Sequence, residues 1–186
     1  QFMAPDDPVK LAVLVLRNDG TTPRRLSVSH YVEWRLGPAR PTVTPLWTEH
    51  DAGGALLARN PSHADFSARV AFLDMRGAQT SFTADRSEFL GRNGAMAQPA
   101  GLRRPSPLSG KTGLLPGACG VLQTELDLAP GESRELLLLL GQGRDLAETR
   151  ALIAKYREAD PKDLLQRVQG AWDAILGTVE IHTPDP

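Results

Sequence analysis

The sequence predicts a mainly β chain, an antiparallel β-sandwich over residues 1–143 followed by two helices within residues 144–186. Three observations carry that expectation. Apolar residues in the first two-thirds recur with the period of strands, and clusters of Gly, Pro, Asn and Asp punctuate them. Beyond Arg144 the apolar spacing becomes helical, behind residues suited to capping. Many short strands separated by Gly/Pro turns favour a sandwich over an α/β sheet.

The first strand is "VKLAVLVLR" (9–17), nearly continuous in apolar residues. "NDGTTP" then supplies turn residues, and "RLSVSHYVEWRL" (25–36) alternates, with Leu26, Val28, His30, Val32, Trp34 and Leu36 on one face. The two segments are expected to form a long antiparallel hairpin. "GALLARN", "ARVAFLD" and "TSFTAD" read as short strands, and "VLQTELDL", "APGE" and "RELLLLLG" as a closing hairpin. Between these, residues 92–116 form a Gly/Pro/Ser-rich stretch with little periodicity, of a length usually tied to function or motion. In the tail, Asp145 can cap a helix with Glu148 three residues on. Asp160 caps a second, Pro161 takes its first position and Gly177 ends it. Leu164, Leu165, Val168, Trp172, Ile175 and Leu176 form one stripe of that helix, which must be buried against something. If the stripe covers the sandwich, Trp172→Ala should cost roughly 3 kcal/mol; a loss below about 1 kcal/mol would place it against another domain.

Composition excludes several classes of function. With 21 basic and 22 acidic residues the net charge is -1, so no overall field draws the chain to nucleic acid or to anionic lipid. The one cysteine, Cys119, rules out an internal disulfide and a cysteine-cluster metal site, and reads as a small buried hydrophobe. The longest apolar run, Leu136 to Leu140, is far too short to cross a bilayer as a helix, and no charged-then-apolar leader opens the chain. A start at Gln1-Phe2-Met3 and a stop at "VEIHTPDP" just after a strong helix read as a piece of a longer protein, a mature chain with trimmed ends being the alternative.

Candidate chemistry is sparse. "TEHD" (48–51) sets an imidazole between carboxylates, but neighbours on a strand face opposite ways and no metal site is expected. His30, on the apolar face of its strand, reads as a satisfied core or interface histidine, His63 as a surface-loop residue and His182 as part of the terminal connector. "GQGRDL" (141–146) reads as a strand end plus cap rather than an anion cradle. The densest polar cluster is "DRSEFLGRNG" (85–94), where Asp85 and Glu88 have the composition of a glycosidase pair. Three residues apart on a strand or tight turn they would face different ways, with Arg86 and Arg92 at hand to neutralise them. The expectation is an arginine-carboxylate lattice that pins a loop.

"YVEWRLGPAR", "TEHDAGGALLARNP", "ARVAFLD", "TADRSEFLGRNG", "LSGKTGLLPGACGVLQTELDLAPGE", "LLGQG", "YREAD" and "AWDAILGTVEIHTPDP", in that order, resemble the β-sandwich and linker of the cyclic β-1,2-glucan synthase family. That region is similar to the cellobiose and chitobiose phosphorylases of glycoside hydrolase family 94. The resemblance runs from about Val9 to the end and is most specific in "DRSEFLGRNG" and "TPDP". It implies a galactose-mutarotase-like β-supersandwich, here incomplete at its N-terminus. It also implies linker helices that lead to an (α/α)6 barrel holding the general acid, in an inverting reaction with inorganic phosphate as co-substrate. No position here matches the barrel motif, so no catalytic residue, metal or cofactor is carried over. Asp85, Arg86, Glu88 and Arg92 become candidates for a saccharide or domain contact. Implied partners are a β-glucan oligosaccharide, the barrel of the same polypeptide and a second copy, with this region on the cytoplasmic side of a parent in the inner membrane.

Three functions are therefore in view. The first is a non-catalytic sandwich and linker that supports a sugar-active barrel. The second is an independent glucan-binding module using Trp34, Trp47 or Tyr31. The third is a hydrolase or lyase built on Asp85 and Glu88.

Overall fold

The computed structural model describes residues 1–37, 45–103 and 107–178. Its strands are β1 (Phe2–Met3), β2 (Val9–Arg17), β3 (Arg24–Glu33), β4 (Leu46–His50), β5 (Leu56–Arg59), β6 (Val70–Asp74), β7 (Ser81–Thr83), β8 (Gly113–Leu115), β9 (Cys119–Leu128) and β10 (Ser133–Gly143). The helices are α1 (Arg86–Leu90), α2 (Leu146–Glu158) and α3 (Pro161–Leu176), with one 3-10 turn at Ala100–Leu102. A large antiparallel sheet runs β1-β2-β10-β6-β5-β4-β8, and a small one runs β3-β9-β7.

Period-two alternation explains the layers. Val9, Leu11, Leu57, Val70, Phe72, Leu137 and Leu139 of the large sheet face one way and meet Leu152, Ile153 and Tyr156 of α2. Their neighbours Leu56, Ala58, Ala71, Leu73 and Leu136 face the small sheet, packing with Leu122 and the half-buried Val28 and Val32. A sheet covered on both faces needs apolar residues at every position, which is why "VAFLD" and "ELLLLL" do not alternate. Phe89 and Leu90 of α1 cover the outer face of the small sheet over Cys119 and Val121.

Neither expected hairpin forms. β2 pairs with β10, from Arg17↔Ser133 to Val9↔Gly141, and β3 pairs with β9, from Arg24↔Leu128 to Glu33↔Cys119. Each connection is an arch that crosses between the sheets, and the two arches lie side by side. Asn18 fastens them: it is buried, its amide donates to Thr22 O (2.9 Å) and Leu128 O (3.0 Å), and its backbone meets Glu132 and Gly131. The physical reason is burial. A two-stranded hairpin leaves its apolar face in water, whereas strands in opposing sheets turn those faces on each other.

The helices begin and end where expected. Asp145 accepts from the Glu148 N–H (2.8 Å), and Asp160 accepts from the Lys162 N–H (2.8 Å) with Pro161 at the first position. "GQGRDL" is the end of β10 plus this cap. The stripe of α3 departs from the expectation that it covers the sandwich. Leu164 is buried, but Leu165, Trp172, Ile175 and Leu176 are exposed, Trp172 by 58% and Leu176 by 70%. α3 is anchored by its first turn and by Arg167 on Asp6 (2.8 Å), and then projects away from the sheet. His182 and the rest of "VEIHTPDP" lie outside the described residues.

Candidate functional site

The "DRSEFLGRNG" cluster is helical where a strand or tight turn was expected. β7 ends at Thr83, and Asp85 then caps α1, its Oδ1 accepting from the Ser87 N–H (2.8 Å). Phe89 and Leu90 anchor the turn in the core, and Gly91 stops it with a φ of 94° that only glycine adopts freely. At Gly94 the approach is closer still, since a Cβ there would lie 1.6 Å from Leu90 O. The stretch that follows carries the 3-10 turn and β8, the latter pairing Leu46↔Leu115 and Thr48↔Gly113 at the edge of the large sheet.

The acids are not neutralised by Arg86 and Arg92. Asp85 Oδ2 accepts from Lys111 Nζ (2.5 Å). Glu88 accepts from Thr83 Oγ1 (2.6 Å), Ser109 N (2.8 Å) and Ser109 Oγ (2.6 Å), stitching the turn to the strand before it and the segment after it. Arg86 Nε reaches back to Glu33 Oε1 (3.0 Å), which also accepts from Tyr31 OH (2.8 Å). A residue on α1 pairs best with whatever the sheet brings beneath it, and that is β3 rather than its own neighbours. Arg92 is exposed and has no ion pair or side-chain hydrogen bond among the described residues. Lys111, Ser109, Glu33 and Thr83 were missed at the sequence level. Lysine and serine in a glycine-rich stretch give no sign of a partner more than twenty residues away.

Electrostatics follow the contacts. Partial burial opposes the charge of Asp85, but Lys111 and the Ser87 N–H outweigh it and hold its pKa below the ordinary value. The Tyr31 hydroxyl and then Arg86 lower that of Glu33. Burial pushes the Cys119 thiol beneath α1 up to about 12 and keeps it protonated. Asp85 and Glu33 are occupied acceptors held in the ionised form, whereas a general acid needs a proton held at neutral pH.

The remaining candidates disperse. In "TEHD", Thr48 Oγ1 donates to Gly113 O (3.0 Å), Glu49 accepts from Trp47 Nε1 (3.3 Å), His50 stacks on Phe82 with centroids 3.8 Å apart, and Asp51 accepts from Arg150 (2.7 Å). His30 was expected to be satisfied, yet its Nδ1, buried although the residue is only half-buried, has no partner among the described residues, and burial, aided by Lys10, lowers its pKa to about 4. His63 is half-buried and holds its own loop through Nδ1. Trp34 is not available as a sugar platform. It is buried over Gly120, where a Cβ would lie 2.7 Å from its ring. Tyr31 stacks on Phe89 at 5.2 Å, and Trp47 is exposed alone, with Arg59 over its ring.

A capped turn laid on the outer face of a two-sheet sandwich is thus the structural content of the motif. The sequence profile of the glycosyl hydrolase 94 supersandwich domain matches residues 1–159, from β1 to the end of α2. The chain belongs to the glycosyl hydrolase 94 supersandwich family. The cyclic beta-(1,2)-glucan synthase NdvB of Rhizobium meliloti (strain 1021) is 32% identical to it over 182 residues, 96% of this chain. The chain spans 6% of that relative's length. α3 lies beyond the matched supersandwich domain but within the reach of the match to the synthase.

Proposed function

We propose that this supersandwich domain is a non-catalytic scaffold within a longer polypeptide that synthesises or phosphorolyses β-glucans, and that its linker docks the sugar-active barrel. The carrying observation is the exposed apolar face of α3, with Leu165, Trp172, Ile175 and Leu176 in water at the end of a domain that is a small fraction of its relative. Such a stripe is stable in water only when another surface covers it. The outer edge of β3, ten residues long and without a strand partner among the described residues, is a second surface for further strands of the same polypeptide.

The motif loop supports the same assignment. Asp85, Arg86 and Glu88 are taken up by contacts inside the domain, which leaves Arg92 at the tip for a saccharide, domain or second-copy contact. Glucan and inorganic phosphate are then bound by the barrel, with this region on the cytoplasmic side of a parent in the inner membrane.

The test compares Trp172→Ala in the 186-residue chain and in a polypeptide extended through the segment that follows α3. The extended protein should lose several degrees of Tm and the shorter one almost none. Equal effects, or turnover of β-1,2-glucan by the 186-residue chain, would refute the proposal.

A further inference from the structure

A cavity of about 280 Å³ opens where the end of β3 meets the β6–β10 pair, with no residue of the motif loop among its described lining. Arg35, Asn60, His63, Phe66, Arg69 and Gln142 line it. We propose that it binds a saccharide bearing a phosphate or carboxylate group.

The charge pattern argues for the anion. Arg35 and Arg69 both face the cavity and neither has an ion pair among the described residues. No carboxylate is among the described lining residues. Arg69 is held with its guanidinium 5.2 Å from the centre of the Phe66 ring, which orients its planar fork without neutralising it. Glu148, whose charge is felt by Arg69, uses its oxygens on Arg144 (2.9 and 3.0 Å). Two unpaired guanidinium groups in one concavity are a ready site for bidentate recognition of phosphate or carboxylate.

The wall is built for a ring beside that anion. Both polar atoms of the Asn60 amide are engaged, Nδ2 donating to Leu36 O (2.6 Å) and Oδ1 accepting from Ser62 N (3.1 Å), so it fixes the rim. His63 Nδ1 accepts from the Asp65 and Phe66 N–H groups (3.2 and 3.3 Å), which leaves the proton on Nε2 as a donor. The Gln142 amide has no side-chain bond among the described residues and can serve a hydroxyl in either role. Phe66 is 49% exposed, an apolar surface suited to the C–H face of a pyranose. The volume lies at the small end of ligand sites and matches one sugar unit rather than a chain. That the ring is a sugar rests on the supersandwich assignment; the anion rests on the cavity alone.

The experiment is calorimetric titration of the 186-residue chain with glucose 6-phosphate, glucuronate, glucose and inorganic phosphate. Glucose 6-phosphate and glucuronate should bind, with glucose and inorganic phosphate each at least about tenfold weaker, and the affinity should fall with added salt. The Arg35→Ala, Arg69→Ala double variant should lose about tenfold or more for both charged sugars. Phe66→Leu, which removes the stacking face and also frees Arg69 from the ring, should weaken the sugars more than it weakens inorganic phosphate. All three side chains are exposed, so circular dichroism should show an intact fold. Glucose binding as tightly as its phosphate, no binding at all, or binding indifferent to the arginines would overturn the anion site. Inorganic phosphate binding as tightly as glucose 6-phosphate would overturn the sugar half. None of these residues lies on α3, so failure here leaves the Trp172 comparison untouched, and the reverse.

Discussion

Glu88 joins three stretches of chain through one carboxylate, and its loss has a definite cost. Glu88→Ala strands the Thr83 and Ser109 donors at a half-buried site, and the expected loss is about 1–3 kcal/mol in urea unfolding. Asp85→Ala removes the cap of α1 at about 1 kcal/mol. Arg92→Ala should fall within about 0.5 kcal/mol of the parent. If Arg92 destabilises as much as Glu88 does, the motif is held together differently from what its hydrogen bonds show. His30 gives a pH signature. Its folded pKa of about 4 lies below the ordinary 6.5, so the unfolded chain binds more protons between those values. Stability should fall as pH drops from 6.5 toward 4, by on the order of 2–3 kcal/mol from this residue, and His30→Leu should flatten that limb of the profile.

At the level of elements, α2 is fastened to the large sheet by charge as well as by packing. Asp74, at the end of β6, is fully buried and accepts from Arg157 Nε (3.0 Å), Arg157 Nη2 (2.5 Å) and the Arg76 N–H (2.9 Å), and Arg157 also reaches Gly53 O (2.7 Å). Arg157→Ala would leave a buried carboxylate without its cation, and the expected loss is about 3–5 kcal/mol in chemical denaturation. A loss under about 1 kcal/mol would show that α2 is held by its apolar face alone. None of this was visible in the sequence, where Asp74 is one acid ending a short strand and Arg157 one of several basic residues in a helix. The strands and caps were legible because each is written in consecutive residues, as at Asp145 and Asp160. The pairing was not, since a period of two states which face a residue occupies and says nothing about which strand lies beside it. α1 was missed for a related reason: five residues are too few to show a period, and its cap, Asp85, was read as a candidate acid.

At the level of the whole molecule, the mismatch between a finished core and an unfinished surface decides what can be measured on this chain. In the 186-residue chain Trp172→Ala should cost less than about 1 kcal/mol, because an exposed side chain leaves no cavity behind. The same experiment on the extended polypeptide separates a docking face from a solvent-facing one. The paired arches have a different consequence, in time rather than in energy. Asn18 and Leu128, which they join, are 110 residues apart, and β2 has no neighbour along most of its length until β10 exists. On a translating ribosome that partner emerges on the order of ten seconds after β2. During that wait "VKLAVLVLR" is an apolar strand with one edge open and the other met by β1 only at Lys10 and Leu11, and it is the segment a chaperone would be expected to hold.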